Sequence, residues 1–287
     1  MASLVVLVMT VLWTIPTFGL FITSIRPAQD VATTGWWTFF SHPSATLDNY
    51  RTVLFQNSFG NSAGLAPFLV NSLAITVPAT LFPLTIAAMA AYALAWTRFR
   101  GSDTIFFTIF ALQVVPLQMA LIPLLRLFSE GWHIGAVTVF SGLPGESYAR
   151  IWLAHTMFAL PLAVFLLHNF IAQLPRDVME AAMVDGANHF KVFRTIVLPL
   201  STPALASFAI FQFLWVWNDL LVGLTFAGGS QNVTPMTVRL SQIGGTFGAN
   251  WEQRTAAAFV TIVIPLAVFF ALQRYFVRGL LAGSVKG

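Results

Sequence analysis

Six apolar stretches separated by polar or charged segments set the pattern of the chain. They cover roughly residues 4–22, 68–96, 104–125, 151–171, 203–226 and 255–270. A bilayer core about 30 Å thick needs about 20 apolar residues in a helix, so the pattern predicts about six spanning helices. The first stretch ends before Arg26. It is longer than a signal-peptide core and has neither a basic start nor a cleavage site. It is therefore expected to persist as an uncleaved span. Arg98 and Arg100 close the second span, and Pro116, Pro161 and Pro265 fall inside later ones, where they predict kinks.

The intervening segments differ in character. Residues 26–66 are polar but hold Trp36, Trp37 and a Ser/Asn/Gly-rich run over 57–64. A loop with Gly131, Gly142 and Pro144-Gly145 leads to the fourth span, and residues 175–194 are rich in alanine and charge. The tail from Arg274 is short and basic. With no repeat of fixed period and no linker, the expected architecture is all-α: one transmembrane domain over 1–287.

Six spans put both termini on one side. If that side is cytoplasmic, the inner segments carry Arg98, Arg100, Arg176, Lys191, Arg194, Arg274, Arg278 and Lys286. The outer ones carry Arg26, Arg51, Arg126, Arg150, Arg239 and Arg254. The excess is small and lies in the direction of the positive-inside rule.

Composition narrows the class further. Charged residues make up 8% of the chain, against about 25% in soluble domains. Cysteine is absent, which removes disulfides and thiolate chemistry. The net charge of +4 is scattered, without a basic run, so no nucleic-acid partner is expected. The basic residues beside apolar stretches read instead as interfacial anchors. The histidines, His42, His133, His155, His168 and His189, lack metal-ligand spacing, and no metal site is expected.

The segment 175–203 is the most informative. Pro175, then Asp177 and Glu180, suits the start of a helix, where free N–H groups favour negative charge. Ala181, Ala182 and Met183 extend it, and Gly186 permits a left-handed turn. A second amphipathic stretch follows, with Phe190, Phe193, Ile196 and Val197 at helical spacing. Pro199 is expected to interrupt it, and Thr202 to cap the fifth span. Local physics alone makes this a pair of short helices at the membrane surface, which also describes a plain interfacial anchor.

The order Glu180-Ala181-Ala182, Asp185-Gly186-Ala187 and Leu198-Pro199-Leu200 resembles the "EAA" loop of ABC-importer permeases. That resemblance implies a cytoplasmic coupling helix docked on a nucleotide-binding subunit, with Glu180, Ala181, Ala182, Asp185, Gly186 and Ala187 at the contact. The Asp-Gly-Ala continuation is similar to the carbohydrate branch. Trp217-Asn218-Asp219 resembles a signature of the same family. The tail, with Gly279, Gly283 and Lys286, resembles maltose-type permeases of the second ("G") kind, where it reaches the ATPase subunits. The start departs from the family, since no basic segment precedes the first span.

The resemblance further implies a second permease subunit, two ATP-binding subunits, an extracytoplasmic solute-binding protein and a bacterial or archaeal cytoplasmic membrane. Gly-x-x-x-x-Gly-Lys-Ser/Thr does not occur. This chain is thus expected to be no enzyme and to hold no cofactor, with ATP and Mg bound by partner subunits. The expected function is to form half of a pore for a disaccharide, α-glucoside or oligosaccharide.

Polar residues inside spans mark either a solute path or helix-to-helix hydrogen bonds. The candidates are Asn71, Gln113, Gln118, His155, Gln212, Trp217, Asn218 and Asp219, with Trp215 offering a second aromatic face. The outer segments 26–66 and 228–251, including Gly244, Gly245 and Trp251, suit either a binding-protein contact or simple connectors. A secondary transporter driven by an ion gradient is the alternative. It would need paired intramembrane charges, for which Asp219 is the one clear acid.

Overall fold

A computed structural model describes residues 2–56, 64–97, 99–242 and 250–284, with side chains described as far as Gln273. Arg98, Gly244, Gly245, Lys286 and positions 57–63 of the polar run lie outside the described residues.

In chain order the elements begin with α1 (Ala2–Ser24), α2 (Ala28–Thr33), a 3-10 turn (Trp36–Phe40), α3 (Asp48–Phe55) and α4 (Ala66–Trp96). Helices α5 (Ser102–Leu112) and α6 (Leu117–Glu130) precede a hairpin of β1 (Trp132–Ile134) and β2 (Val137–Phe140). Then come α7 (Tyr148–Ile171), α8 (Arg176–Val184), α9 (His189–Val192), a π-turn (Phe193–Val197) and α10 (Leu198–Leu200). The chain continues with α11 (Thr202–Asn218), α12 (Leu221–Phe226), α13 (Met236–Gln242) and α14 (Trp251–Ser284).

Among the described residues, four helices are long and apolar enough to cross a membrane by themselves: Ser3–Ser24, Ala66–Trp96, Tyr148–Ile171 and Trp251–Gln273. Two bent helix pairs raise the number to six. The all-α, six-span expectation therefore stands, with the short hairpin as an addition. Its strands join through Gly135-Ala136, where Gly135 takes φ +60°, a backbone that favours glycine in two-residue turns.

The third and fifth spans differ from expectation. In place of one helix over 104–125, α5 and α6 meet at 100°. Pro116 cannot donate a hydrogen bond and sits extended at φ −61°, ψ 131°. Before it the helix tightens, with N–H groups of Gln113, Val114 and Val115 donating three residues back. The fifth span was expected over 203–226, but α11 stops at Asn218. Asp219 is extended, and its carboxylate accepts the N–H groups of Val222 at 2.8 Å and Gly223 at 3.3 Å. A short acidic side chain competes well for free N–H groups at a helix start, so Asp219 begins a new helix.

The chain divides into two compact units: Met1–Val70 with Val238–Leu266, and Asn71–Thr237 with Ala267–Gly287. In the first, side chains close the end of α1. The Asn49 amide donates to the carbonyls of Ser24 at 2.9 Å and Arg26 at 2.8 Å, and the Ser24 hydroxyl pairs with Tyr50 at 2.7 Å. Terminal carbonyls of a helix have no partner of their own, and Asn49 supplies one.

The second unit is organised by α4, α7 and α11. The Trp152 indole donates to the carbonyl of Ala74 near the start of α4, and the Trp96 indole to that of Ile171 at the end of α7. Helices α4 and α7 therefore run in the same direction. The core they share holds Ala87 and Ala91 of α4 with Ala159 and Ala163 of α7, all fully buried. Residues four apart share one helix face, and small side chains there let helix backbones approach closely.

Ala163→Leu is predicted to overpack this core and to destabilise the protein by about 1–3 kcal/mol. Leu166→Ala, on an exposed position of the same helix, should do far less. Thermal unfolding of the two variants in detergent checks the contrast.

Candidate functional site

The segment 175–203 folds as a helix, a turn and a second helical stretch. Pro175, extended at φ −59°, ψ 125°, precedes α8, and Asp177 lies in the first turn. At the other end Gly186 takes φ +79°. Its N–H donates to Met183 and that of Ala187 to Ala182, each at 3.0 Å. This paired arrangement satisfies the last carbonyls and needs a left-handed residue, which explains the Asp-Gly-Ala sequence. Asn188 then caps α9, its side-chain oxygen accepting the N–H of Lys191 at 2.9 Å.

Two local expectations are corrected. Pro199 does not interrupt the second stretch. The π-turn Phe193–Val197 widens the helix just before it, which relieves the clash between a proline ring and the preceding turn. The break comes at Ser201, where the His189–Leu200 stretch and α11 meet at 73°. Nor does Thr202 cap α11. Ser201 takes the cap position, while the Thr202 hydroxyl donates back to Leu198 at 3.2 Å.

Burial divides α8 into two faces. Met179 is 1% exposed and packs in the core with Tyr92, Leu167, Ile171, Val192 and Val197. Ala182 and Ala187 rest against that core half-buried. Glu180, Ala181, Asp185 and Gly186 are exposed, and the Glu180 carboxylate has no partner among the described residues. Val184 and Phe190 beside them are 86% and 71% exposed. The outer face thus mixes acids with apolar side chains.

This segment is fastened to the ends of two spans. Tyr92 Oη of α4 pairs with His189 Nδ1 at 2.9 Å, and the Tyr92 ring lies 5.4 Å from that of Phe193. The Trp96 indole ties α4 to the last carbonyl of α7. Far along the sequence, Gly279 and Gly283 lie on the helical backbone of α14.

The polar candidates within the spans divide into groups. Asn71 donates to the carbonyls of Gln231 and Thr234, each at 3.0 Å, and accepts from Tyr148 Oη at 2.6 Å. Next to it, the Ser72 hydroxyl accepts the N–H of Met236 at 2.8 Å. The Gln212 amide donates to the carbonyl of Ala79 at 3.2 Å. Asp219 Oδ2 lies 4.0 Å from His155 Nε2, and its backbone carbonyl accepts from Thr237 at 2.6 Å. Trp217 is buried and stacked on Phe213 at 5.8 Å. All of these are engaged inside the protein. Asn218 and Gln118 are exposed and do not join them.

Gln113 has another setting. The bend between α5 and α6 borders a cleft of about 620 Å³, lined by Gln113 and Pro116 from the bend, Phe158 and Pro161 from α7, and Trp215 from α11. Away from its amide the lining is almost wholly apolar.

Sequence reasoning missed Met179, Tyr92 and the Asn188 cap. Asn188 carried a readable signal, a capping side chain three residues before Lys191. Met179 and Tyr92 carried none, because their roles rest on a contact between segments nearly ninety positions apart.

Comparison with known proteins agrees with this geometry. Over 285 residues the chain is 50% identical to the osmoprotective compounds uptake permease protein GgtD of Synechocystis, covering 98% of this chain and 90% of that one. It is 54% identical over 252 residues to the alpha-glucoside transport system permease protein AglG of Rhizobium meliloti, covering 88% of this chain and 63% of that one. The fold matches that of a bacterial ABC transporter involved in the import of the acidic polysaccharide alginate. There the TM-score is 0.70 at 19% identity, over 96% of this chain and 95% of that one. Residues 83–281 match the family described as the binding-protein-dependent transport system inner membrane component. With α8 exposed at the ends of its spans and relatives matched along nearly its whole length, the chain belongs to that family, the permease subunits of ABC importers.

Proposed function

We propose that this chain forms half of a translocation pore for a saccharide of the disaccharide or α-glucoside class. A second permease subunit supplies the other half. Two ATP-binding subunits dock on α8 and bind the ATP and Mg, and a solute-binding protein delivers the sugar on the opposite side. Both termini then lie on the ATPase side.

The observation that carries this reading is the two-faced α8: one buried methionine toward the span ends, and acids with exposed apolar side chains outward. A helix held in this way has a surface for another protein and a lever onto α4 and α7. The sugar class is supported by the alpha-glucoside named for a relative 54% identical. The tail with Gly279, Gly283 and Lys286 is assigned to the ATPase side on the sequence resemblance.

The cleft at the α5–α6 bend is proposed as this chain's share of the path. A broken helix at membrane depth is tolerated only where protein covers it or it lines a watery cavity. Trp215 there offers an aromatic face and Gln113 an amide, a pairing suited to a sugar ring. Asn71, Gln212 and Asp219 are engaged in internal contacts, and we assign them to holding helices and loops together.

Three outcomes follow in a reconstituted transporter. Glu180→Ala should lower both sugar uptake and binding-protein-stimulated ATP hydrolysis; unchanged values of both would remove the docking role. Met179→Ala, a core truncation of about 2–5 kcal/mol, and Tyr92→Phe, which deletes one hydrogen bond worth about 1 kcal/mol, should lower the uptake obtained per ATP hydrolysed. Equal loss of uptake and hydrolysis would argue against a lever. Trp215→Ala should raise the KM for uptake with ATP hydrolysis retained, whereas Asn71→Ala should lower the yield of folded protein and leave KM unchanged.

A further inference from the structure

The 3-10 turn Trp36–Phe40 lies outside every span, yet it packs back onto one. Phe18 of α1 meets Trp36 edge-on at 6.2 Å and stacks with Phe40 at 6.3 Å. Gly19 makes room for this: a Cβ there would come within 2.8 Å of the Trp36 indole nitrogen. Phe18 and Gly19 are six and five residues before the end of α1 at Ser24, about 8–9 Å inside it at 1.5 Å per residue. The aromatic turn therefore lies beside the last turns of a membrane span.

Its outward face is apolar. Trp37 and Phe40 are each 65% exposed, while Trp36 and Phe39 are half-buried. Between residues 31 and 47, His42 is the only titratable side chain. The charged group nearby works from behind. Arg26 is buried and its guanidinium donates to the carbonyl of Gly35 and to the hydroxyls of Thr34 and Thr38. It grips the backbone and small hydroxyls of the turn, which leaves the rings to face outward.

What covers those rings follows from α1 itself. Leu4, Val5, Val6 and Leu7 are consecutive and each more than half exposed. At 100° per residue they ring the helix, so lipid surrounds a span of this kind on at least part of its circumference. Ile15, Phe18 and Phe21, at the end of the span that meets the turn, are exposed as well, so the turn lies beside that surface. Exposed Trp and Phe without charge, at the depth of the last helical turns, fit the boundary between headgroups and acyl chains, where amphipathic rings concentrate.

We infer that Trp36–Phe40 is an interfacial membrane anchor: Trp37 and Phe40 insert among lipids, and Arg26 holds the turn in place. This assigns to the bilayer a part of the segment 26–66 that sequence alone left open between a protein contact and a connector.

This chain has no cysteine, so a single label can be placed on it, the variant being labelled before assembly with its partner subunits. Trp37→Cys and Phe40→Cys, each carrying a nitroxide, would be measured in the assembled transporter in phosphatidylethanolamine–phosphatidylglycerol vesicles. Collisions with lipid-soluble oxygen should exceed those with a water-soluble nickel chelate at both positions, and adding the solute-binding protein should change neither. Greater access to nickel would overturn the proposal as a solvated loop. Shielding from both reagents, or shielding that arrives with the binding protein, would overturn it as a protein contact. For the unsubstituted protein, a lipid with a photoreactive diazirine near the top of its acyl chain should cross-link to the peptide holding residues 36–40. Its absence from the adducts would count equally against the anchor.

Discussion

Inside a bilayer a backbone N–H or C=O has no water to bond, and this constraint shapes the whole chain. Unbroken helices meet it over most of each span. At some helix ends among the described residues a side chain takes over: Asn49 at the end of α1, Asp219 at the start of α12, Asn188 at the start of α9. The Gly186 turn closes α8 by backbone bonds alone.

The same constraint explains why so few polar side chains remain for a solute. Asn71, Gln212 and Asp219 sit at membrane depth or just beyond it, where an unbonded polar group costs several kcal/mol. Asn71 bonds backbone carbonyls and Asp219 accepts backbone N–H groups, while Gln212 donates its amide to Ala79 and leaves its buried Oε1 without a partner among the described residues. What stays available lines the cleft at the α5–α6 bend, where a proline rather than a side-chain hydrogen bond breaks the helix. In the proposed path, this largely apolar wall with one amide and an indole is the surface a sugar would meet.

Coupling segment and spans meet through packing. Fully buried alanines bring backbones close in the core, and above that layer larger side chains, Tyr92, Met179, Val192 and Val197, close the contact with α8 and the π-turn. Close-packed interiors transmit displacement because they have few voids to absorb it. Met179 joins α8 to this core, and the Tyr92–His189 hydrogen bond joins α9 to α4, the contacts on which the proposed lever rests.

Much of this was legible in the residues. Apolar length determined the spans, because the bilayer sets a minimum run that needs no tertiary partner. The helix–turn–helix at 175–203 was equally readable, since Pro175, Asp177 and Gly186 act on their immediate neighbours. Sequence failed where two local rules competed. Pro116 was read as a kink and became a 100° break, while Pro199 was read as a break and was absorbed by a π-turn. In each case the surroundings decide whether a missing N–H ends a helix or only widens it. Asn71 was read as either solute path or helix-to-helix glue, and the residues alone left the two open, because a hydrogen-bond partner some 160 residues away, such as Thr234, leaves no mark on the local pattern. The sequence by itself determined that the chain crosses a membrane and carries a helix, a turn and a second helical stretch over 175–203. Only the tertiary structure decided which side chains connect that helix to the spans, for those contacts join segments that local physics treats as strangers.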